Sequence, residues 1–240
     1  MILSDVTLII PTKNEEKNIQ TFLSSLPSGI KLIVVDASTD RTRELINIQR
    51  PYNTHVMHEL STIPRARQSG ADNAVTEWLL YSDADMSFDT KYFIELEKMA
   101  VSANVGAIMG AKKSKNKYRW YYFLYSNSIR IFSYLGIPIG SGSNMLLKKE
   151  ALDAIGGFDF ALTHSEDNDI LMRIKKAGWH VIYNGKLRVY ENDHRRLDQG
   201  VFKKFWHGTL RAFLLYTGIL KERVRESDWG YWQKKDSIKQ

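Results

Sequence analysis

Trp78-Leu79-Leu80-Tyr81 is a run of four large residues that passes without transition into Ser82-Asp83-Ala84-Asp85. Four such residues in succession fit a strand buried on both faces of a parallel sheet. A strand of that kind delivers whatever follows it to the sheet's carboxyl edge, where open α/β folds bind ligands. Asp83 and Asp85 are therefore expected at a site. Alternate residues of an extended turn point the same way, so the two carboxylates can share one hard divalent cation, which in turn can hold a diphosphate. Acidic residues also collect in turns and at helix starts for structural reasons, and Asp89, ahead of Thr90-Lys91-Tyr92, reads as such a cap.

The flanking segments repeat one design. Val6-Thr7-Leu8-Ile9-Ile10 is a β-branched strand that Pro11 is expected to stop, and Asn14-Glu15-Glu16-Lys17-Asn18 opens a helix carrying Ile19, Phe22, Leu23 and Leu26 at helical spacing. Lys31 to Asp36 is a second buried strand, followed by a turn with Asp40 as cap and a helix through Leu45, Ile46 and Ile48. Thr54-His55-Val56-Met57 is a weaker third strand, and Pro64 starts a helix carrying Arg65, Arg67 and Gln68. Strands alternating with helices imply a parallel sheet with right-handed crossovers.

At 240 residues and 43% hydrophobic, the chain fits one large α/β domain or two small ones. The absence of cysteine excludes disulfides, thiolate zinc sites and Cys nucleophiles. No Gly-x-Gly-x-x-Gly follows the first strand and no P-loop occurs, so a nucleotide needs another phosphate device, and a carboxylate-held divalent cation is the obvious one. A net charge of +7 predicts attraction to anions without choosing among nucleotide phosphates, anionic lipid and nucleic acid. The first residues lack the basic start and apolar core of a signal peptide, and no stretch has the apolar length to span a bilayer. A cytoplasmic place is expected, with a peripheral position at the cytoplasmic membrane face as the variant of that reading.

Pro11-Thr12-Lys13-Asn14-Glu15-Glu16, Val34-Val35-Asp36-Ala37-Ser38-Thr39-Asp40, Ala66-Arg67-Gln68-Ser69-Gly70 and Asp83-Ala84-Asp85, in this order and spacing, resemble the family 2 glycosyltransferases of the GT-A fold. Gly140-Ser141-Gly142-Ser143-Asn144, Gly156-Gly157-Phe158-Asp159 and Glu166-Asp167-Asn168-Asp169, with Arg173 and Gly178, resemble the family's acceptor-side half. The resemblance runs from about Val6 to about His194. It implies a single GT-A domain over residues 1–225, with a mostly parallel mixed central sheet flanked by helices. Residues 1–110 form the nucleotide-binding half and 111–225 the acceptor half with covering helices, ahead of a polar tail at 226–240.

The resemblance also implies roles. Pro11, Thr12, Asn14 and Glu15 line the nucleotide pocket, Asp36 accepts a hydrogen bond from the base, and Arg67 contacts base or phosphates. Asp85 holds Mg²⁺ or Mn²⁺, with Asp83 near ribose and metal, Ala84 between them at the substrate, and His194 as a third ligand. Ser141, Gly142 and Asp169 belong to the substrate site. Asp167 is the general base, with Glu166 or Asp169 orienting acceptor or loop, and Arg195 and Arg196 steady the leaving nucleoside diphosphate. Relatives often carry Asn at the position of Gln68, which leaves that residue's role open.

The implied reaction is metal-dependent, inverting transfer of a hexose from a UDP- or GDP-linked donor to a hydroxyl of a glycan, lipid or small molecule. The absence of Gln-x-x-Arg-Trp argues against a processive synthase. One rival is a nucleotidyltransferase acting on a sugar phosphate, which normally wants a Gly-rich basic loop after the first strand. Another is a basic nucleic-acid-binding protein using Lys112 to Arg119, which leaves the strand-end carboxylates unexplained, so no nucleic acid partner is expected. Lys112 to Arg119, the aromatic stretch through Leu135 and the Val201 to Tyr216 segment mix basic and aromatic residues. These suit contact with an anionic membrane, or else helices covering the sheet with solvated lysines.

Overall fold

The computed structural model describes residues 1–162 and 165–198, without the side chains of Arg195 and Arg196. His164, the Val201 to Tyr216 segment and the 226–240 tail lie outside the described residues. In chain order the elements are β1 (Val6–Thr12), α1 (Ile19–Ser24), β2 (Lys31–Asp36), α2 (Thr42–Gln49), β3 (Thr54–His58), α3 (Ile63–Asp72), β4 (Trp78–Tyr81), β5 (Met86–Phe88) and α4 (Tyr92–Glu97). They continue with β6 (Val105–Lys113), α5 (Arg119–Tyr134), β7 (Met145–Lys148), α6 (Lys149–Ala154), α7 (Glu166–Lys176), β8 (His180–Glu191) and α8 (Arg195–Asp198).

The strands form one sheet in the order β3-β2-β1-β4-β7-β6-β8-β5. The β1–β2, β1–β4, β2–β3 and β6–β8 pairs are parallel, while β4–β7, β6–β7 and β5–β8 are antiparallel. The continuous apolar strands follow from burial on both faces. Leu8 and Ile10 of β1 enter one core with Ile19, Phe22, Ile46 and Tyr92; Ile9 enters the other with Ala66, Leu152, Ile170 and Ile174. Both residue parities are thus apolar, which is why these strands do not alternate.

Several local expectations are corrected. Pro11 does not stop β1, which runs on to Thr12. Pairing with β4 ends at Ile9, whose carbonyl accepts from Ser82 N at 3.2 Å, and Pro11 is the next residue on that edge, so its missing N–H forfeits no ladder bond. The first helix begins at Ile19, because residues 14–18 form a turn in which Asn14 takes φ 56°. Ile48 points to solvent at 69% exposure, and α2 is anchored by Ile46. The boundary near Gly110 falls inside β6, so the two halves share a sheet. Among the described residues no helix is long and apolar enough to cross a membrane.

The β6–β8 ladder carries the main irregularity. Its register jumps from Gly110↔Asn184 to Ala111↔Arg188, so residues 185–187 loop out of the pairing. Asn144 mends the break: its Nδ2 donates to Ala111 O and Leu187 O, each at 3.0 Å, and its Oδ1 accepts from Tyr92 Oη at 2.8 Å. A Cβ on Gly110 would lie 2.2 Å from Asn144 Nδ2, so the mend requires glycine there.

Candidate active site

The carboxyl ends of β1, β2 and β4 meet at one edge. Thr12 Oγ1 donates to Asp36 Oδ1 at 2.7 Å, Arg43 Nε donates to Asp36 Oδ2 at 3.0 Å, and the Asp36 carboxylate is fully buried. Asp36 is therefore held by the protein on both oxygens. The left-handed turn at Asn14 knots the β1 and β2 loops together: Asn14 N donates to Ser38 Oγ and Asn14 Oδ1 accepts from Thr39 N. Glu15 N donates to Thr42 Oγ1 at 2.8 Å. Asp40, expected as the cap of α2, stands one residue before its N-cap Arg41 and accepts from Thr42 N and Thr42 Oγ1; against its own burial these bonds hold its carboxyl below the usual range.

After β4, Met86 N donates to Asp83 O and Asn192 N donates to Asp85 O, a tight turn stapled to the end of β8. Ala84 turns into the core at 2% exposure, so only the two aspartates of this triplet reach the edge as side chains. Beside them Lys112 Nζ sits 2.7 Å from Glu191 Oε2, and Tyr122 Oη donates to the same oxygen. Burial alone would lower the Lys112 pKa, but the charges of Glu191, Asp85 and Asp83 raise it, so the ammonium is held charged against the Asp-x-Asp turn.

Arg67 joins the two acidic constellations. Its guanidinium is 3% exposed, with Nη2 3.1 Å from Asp83 Oδ1 and Nη1 2.7 Å from Glu166 Oε1. Its forked geometry spans two carboxylates that are distant in sequence. A Cβ on Gly142 would lie 2.3 Å from Arg67 Nη1, so the loop before β7 closes over the guanidinium only with glycine at that point.

Ser165, at φ 63°, turns the chain into α7. Asp167 Oδ2 accepts from Gly142 N at 2.9 Å and Asn168 Oδ1 accepts from Gly140 N at 3.1 Å, so the loop is oriented by Asp167 and Asn168. Glu166 faces Arg67 and Asp169 faces Arg173, each at 2.7 Å. Ser141 Oγ lies 2.8 Å from Ser143 Oγ in the same loop. Burial pushes the Glu166 carboxyl up to about 7, against the pull of Arg67 and with help from the Asp167 charge. Burial also raises Asp167, against Arg67 and the Gly142 and Asn168 amides. Gln68 acquires a role here: its Oε1 accepts from Phe158 N at 3.0 Å, docking the Gly156-Gly157-Phe158 turn that Arg173 holds from the other side.

The expected Asp83, Asp85 and His194 triad is not assembled. His194 Nε2 lies 3.1 Å from Ser114 Oγ, with its ring packed by Tyr118 and Tyr122, and among the described residues no group of three or more His, Asp or Glu side chains could hold a metal. A hard divalent cation still fits the donor chemistry. Mg²⁺ is usually bound by one or two carboxylates plus substrate phosphates and water, and Asp83 and Asp85 supply such a carboxylate pair at the carboxyl end of β4. Arg195 and Arg196 lie on α8, and their side chains are outside the described set. Sequence reading missed Arg43, Lys112, Tyr122 and Glu191. The basic run held Lys112 and the aromatic stretch held Tyr122, and neither offered a clue to the partner.

The family described as glycosyl transferase family 2 matches residues 7–156. The succinoglycan biosynthesis protein ExoA of Rhizobium meliloti is 23% identical over 229 residues, covering 85% of this chain and 68% of that protein. The pre-mycofactocin glycosyltransferase of Mycobacterium tuberculosis is 22% identical, covering 85% of this chain and 46% of that protein. Among solved structures, the mannosyltransferase PcManGT from Pyrobaculum calidifontis, in complex with GDP-Man and Mn²⁺, superposes with a TM-score of 0.66 at 22% identity over 80% of this chain and 58% of that one. S. aureus TarS 1-349 in complex with UDP gives a TM-score of 0.65 at 18% identity over 78% and 60%. The chain thus spans under two thirds of both structures, and the likeness to them shows the GT-A-like fold.

Proposed function

This chain belongs to glycosyl transferase family 2, and from that premise and the geometry of its acidic edge we propose that it moves a hexose from a nucleoside diphosphate sugar to an acceptor hydroxyl with inversion. The Arg67 bridge between Asp83 and Glu166 supports this reading most directly, because it couples the donor turn to the residue beside the base.

In this reading the Thr12, Asn14 and Glu15 loop with Pro11 cradles the nucleoside above Asp36, and Arg43 fixes the Asp36 carboxylate. Asp85 and Asp83 would hold Mg²⁺ or Mn²⁺, which when bound neutralises charge on the departing diphosphate. Lys112 adds a fixed cation at the same place, held charged by Glu191 and the two aspartates. Asp167 takes the proton from the acceptor hydroxyl as its oxygen bonds to the anomeric carbon. The bond from that carbon to the diphosphate breaks, and its electron pair leaves with the diphosphate. The two events occur on opposite faces of the sugar, so the configuration inverts. Glycan, lipid and small-molecule acceptors all satisfy this chemistry, and contact of the exposed face of α5 with an anionic membrane belongs to the same reading.

Thermal-shift titration with UDP- and GDP-linked sugars, with and without Mn²⁺, tests it. A sugar nucleotide that stabilises the chain more strongly with the metal agrees; release of pyrophosphate from a nucleoside triphosphate and sugar phosphate would establish the nucleotidyltransferase instead.

A further inference from the structure

Outside the acidic edge, α5 and β8 enclose a groove of about 950 Å³. Lys113, Lys115, Arg119, Arg130, Lys186 and Arg188 line it, and no Asp or Glu does. Gly185 and Lys186, in the segment that loops out of the β6–β8 ladder, form part of its wall. Among the described residues only Lys186 of these six makes a salt bridge, to Glu95 at 3.6 Å. Six cations facing one concavity repel one another and raise the local anion concentration. The volume is that of a small-molecule site. Along α5, Trp120, Phe123 and Leu124 stand exposed at 58%, 67% and 58%. Cations beside exposed aromatic and aliphatic side chains match the boundary between an anionic headgroup and an acyl chain.

We propose that the α5/β8 groove binds the phosphate or diphosphate headgroup of a lipid, as a site separate from that of the nucleotide sugar. The groove shares a wall with the acidic edge. Tyr122 lines it while its hydroxyl bonds Glu191, the partner of Lys112, and Ser114 lines it while bonding His194. A lipid phosphate seated there lies one side-chain layer from Lys112. The link to acceptor delivery rests on the transferase reading; the headgroup site itself does not.

The test uses the full chain and an Arg119→Gln/Arg130→Gln/Lys186→Gln variant in co-flotation with phosphatidylcholine vesicles, either plain or doped with phosphatidic acid. The chain is expected to float with the doped vesicles alone and to be displaced by soluble pyrophosphate. The variant should lose affinity by roughly fivefold per cation, on the order of a hundredfold in all, at about 0.1 M salt. Equal flotation of variant and parent would overturn the proposal. Pyrophosphate binding that the variant loses, without vesicle binding by the parent, would keep the anion site and overturn the lipid source. Tighter binding of single-stranded RNA than of vesicles, lost in the variant, would make the groove a nucleic-acid surface and overturn it as well. Nucleotide-sugar binding, measured in parallel, should be equal in both proteins. Its absence from the parent contradicts the transferase reading and leaves the vesicle result standing.

Discussion

Arg67 is a buried cation whose two terminal nitrogens each face a carboxylate, and that arrangement fixes what a substitution must do. Lysine keeps the charge but lacks the planar fork that spans Asp83 and Glu166, so Arg67→Lys loses the paired geometry to one of them, at a cost of about 1.5–3 kcal/mol. Its urea midpoint should fall accordingly. Glu166 sets a pH dependence. Its pKa rises from 4.5 to about 7 in the fold, so the folded chain binds this proton more tightly than the unfolded chain. The stability it contributes is complete below pH 4.5 and lost as pH rises through about 7. The Glu166–Asp167 pair should give transfer a limb that climbs through about pH 7, and Glu166→Gln should move that limb. Lys112→Met should weaken nucleoside diphosphate affinity by roughly tenfold by calorimetry, with Lys112→Arg retaining most of it. The acidic residues were legible because carboxylates after an apolar run contradict simple burial. Lys112 and Arg43 were not, since a lysine in a basic run and an arginine on a polar helix look solvated until their distant partners are in place.

The elements up to β4 were readable from β-branched runs and helical spacing, whereas β5, β6 and β7 were not read as strands, and other failures came where a neighbouring strand decided the outcome. Pro11 reads as a strand end in isolation, yet it sits where β1 has outrun β4 and no hydrogen bond is lost. The bulge in β8 carries a turn signal of its own, Asn184-Gly185, with Lys186 N donating to Asn184 Oδ1; what its residues do not reveal is that Asn144, from a different segment, supplies the hydrogen bonds it forfeits. Asn144→Ala strips two buried carbonyls and the Tyr92 hydroxyl of their partner. It should lower stability by about 2–4 kcal/mol in denaturant titration and widen the β6–β8 gap. Amide hydrogen exchange should then rise first at Ala111 and Arg188.

Taken whole, the molecule is one sheet with its chemistry along a single edge. Parallel strands β1, β2 and β4 bring Asp36, Asp83 and Asp85 to one edge, while the loop before β7 and the start of α7 bring Gly142, Glu166 and Asp167 back to it. The order of short motifs made the family readable. The joining of the two halves by Arg67, and the sharing of β6 between them, required the folded chain, since both depend on contacts between distant segments. The central claim is that Asp167 removes the acceptor's proton while the donor is held independently by the Asp83–Asp85 edge. It is tested by Asp167→Asn, measuring single-turnover transfer and donor affinity on the same preparation. The account predicts transfer reduced by at least about a thousandfold with donor affinity unchanged. Transfer that persists while donor binding collapses would contradict it.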